Sequence, residues 1–442
     1  MIQAVIQAGG KGTRLSAVTH DVIPKPMVEI AGRPLLAWQI DELKKCGIND
    51  FIIIVGHLGQ VIEQYFGDGG RVGVNIAYVR EKEEQPLGTA GALPYLKPLL
   101  LSDEFVFAYA DAFFSLDVQR MLAFHHDHGS KATLFVHPNS HPYDSDLVVL
   151  DDDGRVIRFD SKHNDRSSYD YDNIVNAGFF IFHKSVCDYV PEPQKVALEK
   201  DVIQQMVDNG QPVYGYLSTE YVKDAGTVDR LQAVEHDLQA GIIWQRNLQK
   251  KQRAIFLDRD GTLNKYVGLL TQKQQLELEQ TVIDAVKRIN SSAFLAICCT
   301  NQPVVARGLC SIADVEDIHR RLSTLLGQGG TYLDDIVYCP HHPDKGYPGE
   351  NKAYKIECDC RKPKTGMLTQ MAHKHNIDLQ HSWFIGDTTR DLQTAANAGM
   401  RKALVLTGEA GHDNRFAATP DITASTLLEA VEQILEQTED ET

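Results

Sequence analysis

The sequence predicts an α/β protein of two successive domains, and three observations predict it. Short apolar runs alternate with helix-like stretches along the whole chain. Two of these runs, residues 4–8 and 254–257, lead straight into loops rich in glycine or carboxylate. A polar, basic stretch over 245–253 separates the two series. A strand that ends in such a loop is where an α/β sheet binds phosphorylated ligands, so two openings imply two active sites.

The elements follow in order. After the opening run at 4–8, the apolar spacing over 35–46 fits a helix, and 51–55, 74–79, 105–109 and 132–136 read as strands. This is a mixed or largely parallel sheet reaching about residue 235. Residues 234–252 read as a helical connection that turns polar and basic. A fresh alternation places strands at 254–257, 294–298, 335–338, 383–385 and 403–406, with helices around 281–290, 312–326 and 365–375. That is a doubly wound unit. The expected plan is a domain over 1–235, a connector over 236–252, a second domain over 253–436 and a frayed acidic tail over 437–442.

Bulk properties agree and exclude some classes. At 442 residues the chain can build two cores, and 43% hydrophobic with 24% charged residues reads as soluble and globular. A net charge of −16 argues against a nucleic-acid-binding surface, without excluding local cationic pockets for anionic substrates. No apolar stretch is long enough to span a membrane, and no basic leader precedes the first strand, so a cytoplasmic enzyme without membrane partners is expected. Homo-oligomerisation is left open. Of eight cysteines, three cluster between 339 and 360, which favours a reduced compartment and a local metal site over a disulfide framework.

The first loop reads Gly9-Gly10-Lys11-Gly12-Thr13-Arg14. It matches neither of the common phosphate-binding glycine patterns, and glycines also serve a tight strand-to-helix turn. A short loop later comes Pro24-Lys25-Pro26-Met27, where two prolines stiffen the backbone and aim an ammonium at a phosphate. Four landmarks follow: Leu87-Gly88-Thr89-Ala90-Gly91, Asp111 closing a strand, Asn176-Ala177-Gly178, and Asp224-Ala225-Gly226-Thr227. Taken alone, Asp111 could cap a helix and Asp224 could sit in a turn.

In this order the six landmarks resemble the sugar-phosphate nucleotidyltransferase family over residues 1–235, which implies a Rossmann-like fold with a mixed sheet. The resemblance implies that a sugar 1-phosphate oxygen attacks the α-phosphorus of a nucleoside triphosphate in line and pyrophosphate leaves. Both reactants are anionic, so catalysis is positioning and charge neutralisation. Arg14 and Lys25 would hold the phosphates. Gly9, Gly10, Gly12, Thr13, Gly88, Asn176 and Gly178 would line the substrate site. Asp111 and Asp224 would share a Mg²⁺, a hard cation suited to carboxylates. One departure stands out: the family's Glu-Lys is Ser161-Lys162 here. Lys162 can still bind the sugar phosphate, but the usual Glu contact to sugar hydroxyls is missing, so glucose is not implied.

The second loop, Asp258-Arg259-Asp260-Gly261-Thr262, has its own chemistry. One carboxylate can attack phosphorus, splitting a hard hydrolysis into two steps, and a second two residues on can protonate the leaving alkoxide and then activate water. Thr300-Asn301 offers a hydroxyl and an amide to the phosphate, and Arg361-Lys362 supplies positive charge. Gly386-Asp387, with Asp391 four residues on, adds carboxylates for Mg²⁺. This ordered set resembles the haloacid-dehalogenase phosphatase superfamily over 254–407. The resemblance assigns Asp258 and Asp260 to catalysis and Asp258, Asp260 and Asp387 to Mg²⁺. The interval from Asp260 to Thr300 is too short for a large cap domain.

Cys339-Pro340-His341-His342 and Cys358-Asp359-Cys360 provide three thiols and imidazoles on a loop. Four such ligands suit a structural zinc with no open position. A strained Cys358–Cys360 disulfide or unligated thiols are the alternatives, and His342 competes with His341. Within the superfamily, a zinc loop followed by Cys-Arg-Lys-Pro resembles the D-glycero-D-manno-heptose 1,7-bisphosphate 7-phosphatases and the related histidinol-phosphate phosphatases. This resemblance favours Cys339, His341, Cys358 and Cys360. The lysine often found after the Mg²⁺ aspartate is Thr388 here.

A heptose bisphosphatase yields a sugar 1-phosphate, and a nucleotidyltransferase consumes one. The pairing resembles bifunctional fusions of the two, and implies removal of the 7-phosphate followed by transfer of GMP from GTP. The rival readings are the same pair of reactions on another sugar or nucleotide, and a regulatory or binding protein with one inactive domain.

Overall fold

The computed structural model describes residues 2–10, 15–20, 22–346 and 348–439. The chain divides into two compact units. The first comprises residues up to 137, 146–161 and 174–249; the second comprises 138–145, 162–173 and the chain from 250 onward.

In the first unit, strand Gln3–Gln7 is apolar on both faces and therefore has to be covered on both. It lies inside the sheet, parallel to Asp50–Val55 on one side and Glu104–Tyr109 on the other, with Asn75–Arg80 parallel beyond Asp50–Val55. Val175–His183 runs antiparallel to both Glu104–Tyr109 and Ala132–His137, which makes the sheet mixed. Val213–Leu217 pairs in parallel with Ala132–His137. Leu147–Leu150 and Val156–Asp160 form a hairpin at the far side. A separate two-stranded sheet pairs Ala112–Ser115 with Tyr221–Asp224 and sets Asp224 opposite Ala112.

The helix expected over 234–252 is instead two helices, Val228–Gln239 and Ile242–Gln245. Gly241, at φ +72°, supplies the left-handed residue that separates them. Val234 and Ile243 pack with Leu35, Phe113 and Tyr221, so both helices contribute to the first unit's core.

The second unit is a six-stranded, wholly parallel sheet. Its order is Asp335–Cys339, Phe294–Asn301, Arg253–Leu257, Trp383–Gly386, Arg401–Val405, Ile422–Ala424. Helices Val282–Asn290 and Gly366–Lys374 contribute to two separate apolar clusters of this unit. Between Asp260 and Thr300 the regular structure is a 3-10 turn, Lys273–Gln275, the helix Val282–Asn290 and the start of strand Phe294–Asn301, with no inserted cap domain. The last helix, Leu427–Glu439, extends into the segment expected as a frayed tail, and residues 440–442 lie outside the described residues. No helix among the described residues is long and apolar enough to cross a membrane.

Candidate active sites

In the first unit a cleft of about 440 Å³ opens at the carboxyl end of strand Gln3–Gln7. The chain leaves the strand through Ala8, Gly9 and Gly10, which line it. Lys25 comes from the 3-10 turn Lys25–Met27, entered from an extended Pro24 and carrying Pro26 in its first turn, so both prolines fit their backbone geometry. Asp111 lies in the turn after strand Glu104–Tyr109. The Asp224–Ala112 register and the bond from Ala225 N to Asp111 O (2.8 Å) bring Asp224 beside it. Lys25 Nζ is 2.6 Å from Asp111 Oδ2 and 3.7 Å from Asp224 Oδ1. Arg230 pairs with the other Asp224 oxygen. Asp224 Oδ1 is buried and accepts no hydrogen bond, with the Lys25 ammonium 3.7 Å away, so it has room for a cation ligand.

Gly226 packs against this group: a Cβ there would stand 2.6 Å from Asp224 Oδ1 and 2.8 Å from Lys25 Nζ. Gly88 lines the cleft at φ +76°, where a Cβ would meet Val196 O at 2.5 Å. Asn176 and Gly178 lie on strand Val175–His183 at a register shift. Asn176 Nδ2 donates to Glu199, and Asn176 Oδ1 accepts from Gly178 N. Gly12, Thr13 and Arg14 lie outside the described residues. Lys162 belongs to the second unit, where its ammonium bonds Asp144 Oδ1 at 3.1 Å.

Glu81, which the sequence did not single out, lines the same cleft. It accepts from Gln7 Nε2 and Leu87 N, both at 3.4 Å, and a Cβ on Gly9 would come within 3.0 Å of its Oε2. Burial pushes its carboxyl pKa up.

In the second unit, the candidate residues meet where three neighbouring parallel strands end. Asp258 follows Arg253–Leu257, Thr300 and Asn301 end Phe294–Asn301, and Asp387 follows Trp383–Gly386. Carboxylate oxygens of Asp258, Asp387 and Asp391 lie within 4.8 Å of one another, all buried. Asp391 is placed by a reciprocal cap on helix Thr389–Asn397: its carboxylate accepts from Thr388, whose hydroxyl accepts from Asp391 N. Lys362 Nζ faces this group, 2.9 Å from Asp258 Oδ2 and 2.6 Å from Asp391 Oδ1, and donates to Cys299 O. Asn301 fixes that lysine, since its side-chain amide bonds both the N–H and the carbonyl of Lys362. Thr300 Oγ1 accepts from Gln302.

Three carboxylates around one ammonium leave an excess of buried negative charge. Burial first, and then Asp391, pushes the Asp258 pKa up to about 6; burial and the Asp258 charge push Asp387 to about 8. Burial opposes the Lys362 charge, but Asp258 and Asp391 outweigh it and hold the ammonium protonated. Asp387 Oδ1 is buried without a partner, while Oδ2 accepts from Glu409 N. A divalent cation would balance that charge and use the orphaned oxygen, so the donor set fits Mg²⁺. Gly261, at φ +84°, allows the approach: a Cβ there would be 2.2 Å from Asp387 Oδ2.

Asp260 is turned to different partners. The fully buried Arg259 donates to both its oxygens (3.0 and 2.9 Å), and Gln302 and Asn264 donate as well. Gln302 and His319 hold the Arg259 guanidinium in turn. The Asp258-Arg259-Asp260 spacing gives no sign of this clamp, because its partners come from distant strands and helices.

Cys339, His341, Cys358 and Cys360 converge on the loop beyond strand Asp335–Cys339. Their sulfurs are 3.1 to 3.5 Å apart, and His341 Nδ1 is 3.3 Å from Cys360 Sγ. Bonded sulfurs lie about 2.05 Å apart, so these are free thiols and the Cys358–Cys360 disulfide is absent. The donor set suits tetrahedral zinc. His342 Nδ1 accepts from Asp344 N instead. Arg361, next to the loop, donates to His341 O at 3.1 Å.

Residues 3–241 match the family described as nucleotidyl transferase, and 359–430 match one described as HAD-hydrolase-like. A UTP–glucose-1-phosphate uridylyltransferase of Synechocystis sp. is 33% identical over 245 residues, 53% of this chain and 62% of that protein. A mannose-1-phosphate guanylyltransferase of Mycobacterium tuberculosis is 32% identical over 242 residues, 54% of this chain and 66% of that protein. This chain thus spans less than two thirds of either. A D-glycero-beta-D-manno-heptose-1,7-bisphosphate 7-phosphatase of Haemophilus ducreyi is 39% identical over 160 residues, 36% of this chain and 85% of that protein. The chain therefore belongs to the nucleotidyl transferase family through its N-terminal half and carries a phosphatase domain of the HAD-hydrolase-like family in its C-terminal half.

Proposed function

We propose that the chain is a bifunctional enzyme that makes GDP-heptose. The C-terminal domain removes the 7-phosphate of D-glycero-D-manno-heptose 1,7-bisphosphate, and the N-terminal domain transfers GMP from GTP to the resulting heptose 1-phosphate. The carrying observation is that one chain holds both a Lys25–Asp111–Asp224 cleft and an Asp258–Asp387–Asp391–Lys362 cluster. The product of the second chemistry is the substrate of the first.

In the phosphatase domain, an Asp258 oxygen attacks phosphorus, the phosphorus–oxygen bond to the sugar breaks, and Asp260 gives the leaving alkoxide its proton. Asp260 then takes a proton from the water that cleaves the aspartyl-phosphate. Lys362, Thr300 and the Asn301-braced loop neutralise and orient the phosphoryl group. Asp258, Asp387 and Asp391 would hold Mg²⁺, which supplies charge neutralisation when bound. Cys339, His341, Cys358 and Cys360 would hold a structural zinc that shapes the loop carrying Arg361 and Lys362.

In the transferase domain, Gly9, Gly10 and Lys25 receive the triphosphate, and Asp111 and Asp224 would hold Mg²⁺ against it. The sugar phosphate oxygen bonds the α-phosphorus as the bond to the β-phosphate oxygen breaks, releasing pyrophosphate. The heptose reading is supported by the phosphatase relative's name. Guanine is supported by Glu81: a carboxylate accepts from both N1–H and N2–H₂ of guanine, whereas uracil sets carbonyl oxygens beside its single N–H.

Mass spectrometry of the products from heptose 1,7-bisphosphate with each of the four nucleoside triphosphates tests this. GTP should give GDP-heptose, phosphate and pyrophosphate, with the other three at least about tenfold slower, a difference of about 1.4 kcal/mol. UDP-heptose as the main product would overturn the base assignment. Phosphate release without any nucleotide sugar would overturn the pairing.

A further inference from the structure

Asp260 can pass a proton to the leaving oxygen only if its carboxyl group is held in the right direction. What holds it is an arginine, Arg259, whose side chain is fully buried. A buried guanidinium needs an acceptor for the N–H groups it turns inward. Arg259 Nε and Nη2 find theirs on Asp260, and Nη2 also donates to Gln302 Oε1 at 2.9 Å. For Nη1 the partner among the described residues is His319 Nε2, at 3.3 Å. His319 comes from the middle of helix Ile312–Gln328, is buried, and sets its ring at 63° to that of Tyr338, with centroids 5.0 Å apart.

An arginine N–H can only donate, so Nε2 is the bare ring nitrogen and the imidazole proton sits on Nδ1. A protonated ring would turn a donor toward a donor and set two buried cations together. Burial, with the Arg259 and Arg320 charges, accordingly holds the His319 pKa well below the usual histidine range. Without this acceptor, Nη1 would be a buried charged donor with no partner, which the guanidinium escapes by turning. Asp260 would turn with it, because both of its oxygens are bonded to Nη2. We infer that His319 is a positioning residue of the phosphatase. Its Nε2 fixes the Arg259 guanidinium, and through it the direction from which Asp260 delivers a proton to the leaving oxygen. The inference rests on the phosphatase chemistry proposed above.

The test uses the full chain with three substitutions. His319→Leu keeps the bulk and removes the acceptor, His319→Asn is polar but ends short of Nη1, and His319→Gln brings a carbonyl oxygen to the place of Nε2. For each, kcat/KM is measured on heptose 1,7-bisphosphate, whose alkoxide needs a proton to leave, and on p-nitrophenyl phosphate, whose phenolate leaves without one. Because kcat/KM ends with formation of the aspartyl-phosphate, the later use of Asp260 as a base does not enter it. His319→Leu and His319→Asn should lower kcat/KM for the heptose bisphosphate about tenfold or more and that for the aryl phosphate about twofold at most. His319→Gln should recover most of the loss. An equal fall on both substrates would mean a merely structural histidine and overturn the role. So would unchanged rates on both, or a glutamine variant no better than the asparagine one. A native chain that releases no phosphate from the heptose bisphosphate would instead overturn the proposed function, and this role with it.

Discussion

Buried carboxylates in this chain are held in opposite ways, and each way carries its own pH signature. Asp335 is buried, which alone would raise its pKa, but His375 and Lys374 outweigh the burial and hold it down at about 2. Glu220 has no cation to do this. It accepts from Asp117 N, Leu248 N and Ser218 Oγ, tying a helix start and the 246–248 turn to strand Tyr221–Asp224, and burial pushes its pKa up to about 7. A raised pKa favours the protonated folded state. Its stabilising contribution is therefore complete below about pH 4.5 and lost as pH rises through about 7, with an upper bound of about 3 kcal/mol. Glu220→Gln keeps the shape and removes the titration. Melting temperatures of variant and native chain should converge near pH 4.5 and separate in the variant's favour by pH 7.5; a pH-independent difference would refute this account.

At the scale of elements, the loop carrying Cys339, His341, Cys358 and Cys360 makes the sharpest prediction. Cys339 ends a half-buried edge strand and is itself fully buried, whereas His341, Cys358 and Cys360 come from irregular backbone that has few apolar side chains to order it. A tetrahedral ion would supply that order. Elemental analysis should find about one zinc per chain, and Cys358→Ser with Cys360→Ser should abolish it. Phosphate release should fall by about tenfold or more as Lys362 loses its fixed approach, while nucleotidyl transfer persists. A zinc-free chain of full phosphatase activity and unchanged melting would end the idea. The same contrast explains what the sequence made legible. Strands such as 51–55, 105–109 and 254–257 are continuous apolar runs because parallel strands are covered on both faces. Val156–Asp160 and Ile422–Ala424 escape such a reading because their middle side chains are exposed, which breaks the apolar run. Site residues at strand ends could be read from spacing, as with Asp258, Thr300 and Asp387. Glu81 and the Arg259–Gln302–His319 clamp could not, since neither follows a spacing rule and each depends on contacts between segments far apart in sequence.

At the scale of the whole molecule, two domains with separate cores and separate strand-end sites should fail separately. Asp258→Asn removes the proposed nucleophile and should lower phosphate release by about 10³-fold or more, leaving transfer to supplied sugar 1-phosphate intact. Asp224→Ala removes a charge beside Lys25 and should lower transfer by about 10²-fold or more, leaving phosphate release intact. Neither variant alone should convert heptose 1,7-bisphosphate to a nucleotide sugar. A sugar 1-phosphate is a small, freely soluble anion, so an equimolar mixture of the two variants should restore the conversion, with a lag that shortens as protein concentration rises. Chromatography of the nucleotide sugar over time reads this out. Recovery without a lag would mean that the intermediate does not pass through bulk solution, and no recovery from two individually active partners would mean that it cannot leave the chain that makes it. Recovery with a lag is the expected result, because it requires nothing of the chain beyond two sites of complementary chemistry.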